Sequence, residues 1–495
     1  MKENKINESK ININLILFTL SSLLFALPSI LFYIKNRTIL NFEYEFKFLL
    51  SNIISRKLQG IVFLIMLLTI IYFYIKVIKN RNKIFKTNKQ ILLYILIIAT
   101  IFMIIVPVSS SDIFYYLGVG RINSSYNQNP YYTTIKQFVD TNNNIEILKN
   151  DKVLEQGYNN VWSNTTVVYG PIWTLICSIV SFLSFGNIDL GLFIFKLFNL
   201  IIHILNCILI YKITKKKIFV LIYGLNPFIL FEGISCCHND IYTVFFIMLA
   251  FYFILKKKNI LLSVMMLAIS TTIKYYSIIF LPFIIIYHFK DKDTKTRFIK
   301  CIQFGIIFVV IAAISYLPYI KDISVLNGIS TMQNKITKNF YLILIATLKN
   351  PTIINTIKEI LLITFIVLYT IYCLKLLNMK EIKFSKIMKE ANSFLVMFIF
   401  LLITNFQPWY MIWLYTTFMW QKKENIKLIV TATLFGELAN VIFFMWSEHY
   451  INGIYYSLLF YILVLGYIAI NKILKNRKLT KMSNYVNIKI GKNKL

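Results

Sequence analysis

Asp112 follows three serines and precedes Ile113-Phe114-Tyr115-Tyr116, inside a polar stretch, 109–171, that is the longest in an otherwise apolar sequence. A carboxylate there is the reactive group expected of the stretch, since an ionised Asp can take a proton from a hydroxyl. The local alternative is a helix N-cap for 113–117, and the two roles are compatible. Three further clusters carry titratable or hydrogen-bonding groups: His238-Asn239-Asp240, the lone Lys274, and Gln407-Pro408-Trp409-Tyr410. Asn239 or Asp240 would equally serve to cap a helix starting at Ile241, Lys274 to snorkel, and Trp409 and Tyr410 to join an interfacial aromatic belt. Arg121 fits a phosphate partner or a solvated charge. Cys236, Cys237 and His238 make a weak zinc candidate, because adjacent cysteines lack normal ligand spacing.

The elements that must position these groups are membrane spans. Of 495 residues 58% are hydrophobic, which is too apolar for a chain dissolved in water. The formal charge of +32 comes from 53 basic and 21 acidic residues, the basic ones in short runs between apolar segments. Such a pattern is what positive cytoplasmic loops produce, so nucleic-acid binding is a poor explanation of the charge. No cysteine spacing suggests a disulfide framework.

Threading the chain by this rule gives an all-α polytopic protein of one membrane domain, 1–495, with roughly fourteen transmembrane helices. Both termini are cytoplasmic, including a basic tail at 472–495. Spans at 11–34, 60–77 and 90–108 deliver the large loop 109–171 to the external side. The apolar segment 171–185 is short for a crossing and reads as re-entrant or interfacial. Segments 219–234 and 241–255 flank His238, 260–272 and 277–288 form a short pair around Lys274, and 393–405 precedes Gln407. Lys215-Lys216-Lys217 and Lys256-Lys257-Lys258 mark the cytoplasmic side. All the chemistry-bearing groups then land on one side, where intramembrane charge implies a pathway or a site.

In their order along the chain these blocks resemble the glycosyltransferase C superfamily (GT-C), in particular the polyprenol-phosphate-mannose-dependent α-mannosyltransferases. The resemblance runs from Ser111-Asp112-Ile113-Phe114-Tyr115-Tyr116 with Gly120-Arg121 and Asn129-Pro130-Tyr131 to Tyr169-Gly170-Pro171. It continues through Asn226-Pro227, Glu232-Gly233, His238-Asn239-Asp240, Lys274-Tyr275-Tyr276 with Leu281-Pro282, and Gln407-Pro408-Trp409-Tyr410. It implies a cell-membrane, multi-pass transferase that moves a hexose, mannose first among them, from a polyprenyl-phosphate donor to a glycan or glycolipid acceptor on the external face. Asp112 matches the family's acidic residue regarded as the base. The family commonly has an Arg where Tyr115 stands and a Trp where Gly118 stands.

A prenyl phosphate is already a good leaving group, so one carboxylate suffices for an inverting displacement. Lys274, with Arg121, would hold the donor phosphate as charge builds on it. His238, Asn239, Asp240, Gln407 and Tyr410 would orient phosphate or sugar hydroxyls, and Trp409 would stack on the sugar or lipid. No cofactor is called for, while a divalent cation stays open. Two other readings are a polytopic lipid or solute transporter and a transferase acting on protein hydroxyls.

Overall fold

The computed structural model describes residues 12–39, 56–141, 145–328, 336–445 and 454–470; the basic tail and most of the 35–58 loop lie outside them. The described residues are helical with no strand, as expected where hydrocarbon leaves the backbone only itself to bond with. Among the described residues five helices are long and apolar enough to cross a membrane: Ile13–Asn36, Gly60–Ile84, Ile188–Thr214, Thr294–Tyr316 and Pro351–Asn378. The shortest, at 23 residues, measures about 35 Å, against about 30 Å of hydrocarbon. The bent pair Lys217–Gly224 and Pro227–Ser235 makes a sixth. Among the described residues these helices do not amount to the roughly fourteen crossings expected, and much of the remainder is short or broken.

The breaks have local causes. Pro227 has no N–H to continue a helix, so the segment bends by 52° and Asn226 restarts it by accepting from Phe228 N–H. Pro408 opens a 3-10 stretch, Pro408–Thr416. Carbonyls and amides freed at such breaks must find partners inside the protein. One long helix supplies many of them. Ile188–Thr214 carries buried Lys196, Asn199, His203 and Asn206 at steps of three and four residues, hence on one face. Asn199 donates to the Gly233 carbonyl (2.6 Å), a His203 ring nitrogen sits 3.0 Å from the Gly224 carbonyl, and Asn206 donates to the Ile241 carbonyl (3.0 Å). Lys196 Nζ donates to the carbonyls of Met103 and Ile105, at 3.0 and 2.6 Å, placing a cation at the C-terminus of the helix Asn88–Ile104. That end is where the 109–171 stretch begins.

The stretch is folded, as its aromatic, Gly and Pro content implies. It contains the helices Asp112–Ser124, Ile135–Thr141, Ile145–Asn150 and Lys152–Tyr158. Asp112–Ser124 is buried on nearly all sides rather than amphipathic. It crosses Lys152–Tyr158 where Gly118 meets Gly157, and a Cβ on Gly118 would lie 2.7 Å from the Gly157 Cα. A Trp at 118 has no room, which explains this departure from the resembled pattern. The return leg is held by backbone and aromatic hydroxyls. Val167 N–H bonds the Pro130 carbonyl (3.0 Å), Tyr131 Oη donates to the Tyr169 carbonyl (2.9 Å), and Gly170 packs flat against the Thr272 backbone.

The basic runs gather at the other end of the helices. Lys217 Nζ reaches the Lys86 carbonyl (2.6 Å), Lys212 lies over Tyr252, and Arg297 donates to the carbonyls of Leu377 and Met379.

Candidate active site

Four separated parts of the chain close on one cavity of about 870 Å³. Its lining includes Ser109 to Asp112, Asn160, Trp162 and Tyr169 from the long stretch, Lys274 to Tyr276 from the second helix break, Lys338, Tyr341 and Lys358, and Gln407, Trp409, Tyr410 and Trp413.

Asp112 is the first helical residue, and Ser111 holds the cap position. The carboxylate is thus free of the capping duty its sequence context suggested. Its Oδ1 accepts from Trp162 Nε1 at 3.2 Å and its Oδ2 from Tyr116 Oη at 3.4 Å, while the side chain stays 13% exposed. Tyr116 is in turn 3.2 Å from Tyr169 Oη. Two neutral donors at moderate distance fix the orientation of this carboxylate without neutralising it.

His238, Asn239 and Asp240 are fully buried behind this carboxylate. The His238 ring stacks on Trp409, 3.8 Å between centroids and 13° from parallel. Its Nδ1 stands 3.9 Å from Asp112 Oδ2, and its Nε2 stands 3.1 Å from Glu232 Oε2 without hydrogen-bond alignment. Glu232 also accepts from Ser109 Oγ at 2.9 Å. The neighbouring helix needs no side-chain cap from this cluster. Asn239 makes no cap bond, and Asp240 turns instead to Lys274 Nζ (2.8 Å) and to Trp413 Nε1.

Lys274 does not snorkel. Its ammonium lies 4.2 Å from the Tyr410 ring centroid and 5.1 Å from that of Trp413, with Asn239 Oδ1 at 3.4 Å. Trp413 stacks between Tyr276 (3.9 Å) and Tyr410 (4.8 Å). The Gln407-Pro408-Trp409-Tyr410 block therefore forms an aromatic wall of the cavity, with Gln407 on its lining, rather than a belt facing lipid headgroups.

Arg121 is placed elsewhere. It makes a 2.6 Å ion pair with Asp151, whose other oxygen caps Lys152–Tyr158, so it braces the long stretch and does not line the cavity. Cys236 and Cys237 diverge, one toward Ser109 and the other toward the Ile234 carbonyl, and among the described residues no three His, Cys, Asp or Glu side chains group to hold a metal ion.

Several site groups escaped the sequence. Trp162 and Asn160 sit in a segment with no motif, and Lys338 and Lys358 lie in the second half, where spacing offers no cue. Glu437 sits buried beside Glu232 from the last long helix segment, with Lys338 near both. A signal was present for Glu437 and Lys358: each is a charge in an apolar helical stretch.

A family model described as "Alpha-(1->6)-mannopyranosyltransferase, N-terminal domain" matches residues 22–290, just over half of the chain. The match covers Asp112, His238, Asp240 and Lys274, and ends before Lys338, Lys358 and the Gln407 block. No curated protein and no solved structure matches the chain.

Proposed function

Since this chain belongs to the alpha-(1->6)-mannopyranosyltransferase family, we propose that it moves mannose from a polyprenyl-phosphate donor to a hydroxyl of a glycan or glycolipid acceptor. The observation that carries this reading is the partly open Asp112 carboxylate, oriented by Trp162 and Tyr116 on a cavity whose other charged lining residues are lysines.

Asp112 removes the proton of the acceptor hydroxyl as its oxygen bonds to the anomeric carbon. The bond from that carbon to the phosphate oxygen breaks, and its electron pair leaves with the phosphate. The proton ends on Asp112. A retaining route needs a second carboxylate about 5 Å away and free to attack. Asp240 is committed to Lys274 and Trp413, and Glu232 lies behind His238, so the arrangement favours inversion. With inversion, an α product requires a β-linked donor. Trp409 and Tyr410 offer faces for the sugar, and Gln407 and the Lys274–Asp240 pair offer hydrogen bonds to its hydroxyls.

Sidedness follows from charge. The basic runs share the end opposite the cavity, which the positive-inside rule assigns to the cytoplasm, so the cavity faces outward.

The test is incubation of the purified protein in lipid nanodiscs with a panel of prenyl-phosphate sugars and membrane extract, with mass spectrometry of products. Transfer of a hexose from the mannosyl donor is expected. Absence of any glycosidic product from every donor refutes the reading, and uptake of a donor into vesicles without product would point to a transporter.

A further inference from the structure

Three lysines reach the cavity, and they differ in what balances them. Lys274 is paired with Asp240. Lys338 donates to Asn440 Oδ1 (3.1 Å) and lies in the field of Glu232 and Glu437. Lys358 has no carboxylate within ion-pair distance among the described residues; its contact is the Tyr341 ring, 5.7 Å from its ammonium. Tyr341 is itself held by a hydrogen bond from its hydroxyl to the Leu401 carbonyl (2.5 Å). A half-buried cation without a counter-charge on a cavity wall is available to pair with an anion that enters.

The helix carrying Lys358, like Thr294–Tyr316, is largely exposed. Pro351–Asn378 has only 11% of its apolar window buried, with Ile360 and Ile363 each more than half exposed. Lower down it is clamped by rings: Phe365 against Phe394 and Phe398, and Tyr369 against Phe283 and Phe394. Above that seal, Lys358 and Leu362, one turn apart on the same face, border the cavity together with Phe398 and Leu402. The helix has 28 residues, about 42 Å, so roughly 12 Å exceed the hydrocarbon. Shared between both ends, that excess puts the Lys358 Cα within about one turn of the hydrocarbon boundary, where a lipid phosphate resides.

We infer that the donor enters sideways from the bilayer between Pro351–Asn378 and the π-helix Phe398–Leu402, with Lys358 binding the phosphate of a prenyl-phosphate sugar. This rests on the reading of the protein as a prenyl-phosphate-dependent transferase and names the donor subsite within it. The phosphate meets the one cavity lysine that lacks a described acidic partner, the apolar chain trails past Leu362 into lipid, and the sugar points inward to Asp112.

The experiment uses the full-length protein in nanodiscs and two readouts, donor kinetics and photo-crosslinking by a diazirine-bearing polyprenyl monophosphate. Lys358→Met keeps most of the stem but removes the charge. It is expected to raise the donor KM by roughly ten- to a hundred-fold, the weight of a charge-assisted hydrogen bond, with a much smaller change in kcat, and to lose crosslinking to 351–378. Lys358→Arg is expected to stay within a few-fold of wild type in KM. Leu362→Trp is expected to raise the donor KM and cut crosslinking without altering any charge, which covers the case in which Lys358→Met fails to fold. A Lys358→Met protein that folds and keeps a donor KM within twofold of wild type overturns the inference, as does crosslinking outside 351–378 and 398–402. Crosslinking at the portal without turnover of any donor would instead sink the transferase reading alone.

Discussion

Replacing Asp112 by Asn separates the proposed base from its structural duties. The amide is the same size, and its oxygen still accepts the Trp162 Nε1 proton at the 3.2 Å site. Its NH2 group then faces Tyr116 Oη and His238 Nδ1, at 3.4 and 3.9 Å, both able to accept. With Ser111 at the cap position, the helix start depends little on the charge. Folding and donor binding are therefore expected to survive, while the acceptor proton has no base. General-base catalysis is worth roughly 100- to 10,000-fold, about 2.7 to 5.4 kcal/mol at 1.36 kcal/mol per decade. The assay is single-turnover transfer from a prenyl-phosphate mannose donor, alongside equilibrium donor binding and a thermal melt in the same nanodiscs. Transfer within threefold of wild type, with binding and melting unchanged, would show that another group takes the proton.

Other perturbations probe the scaffold. Gly170→Ala puts a Cβ 2.2 Å from the Thr272 carbonyl oxygen, backbone against backbone; a loss of about 1–3 kcal/mol is expected, read as a lower melting temperature. Lys274→Met leaves Asp240 fully buried with only the Trp413 indole as partner and is expected to destabilise by about 3–5 kcal/mol, of which adding Asp240→Asn restores a large part. Equal melting of the single and double variants would refute that coupling. Lys196→Met orphans the Met103 and Ile105 carbonyls, each worth about 1–3 kcal/mol when unpaired; faster amide hydrogen exchange around 103–108 is the measurement, and unchanged exchange would deny Lys196 its capping role.

Composition was enough to determine a helical membrane protein, because an apolar chain in lipid can satisfy its backbone only within helices or a closed barrel, and no strand alternation competes. The basic runs likewise marked one end of the bundle. Asp112, the 238–240 cluster, Lys274 and the 407–410 block were legible because polar side chains in apolar surroundings are few, and each comes at a point where the chain breaks its helix. Pairing was not legible. Arg121 reads in sequence like a phosphate ligand, yet Asp151, thirty residues on, holds it away from the cavity. Lys274 reads as lone, yet Asp240 meets it across two helices. Whether a charge is spent on a neighbour or left for a substrate depends on which segments pack side by side, and neither hydropathy nor spacing carries that. For the same reason the polar face of Ile188–Thr214 is not legible in the sequence. Its Lys, Asn and His make sense only against the broken helices whose carbonyls they bind, and only the packed fold brings those together.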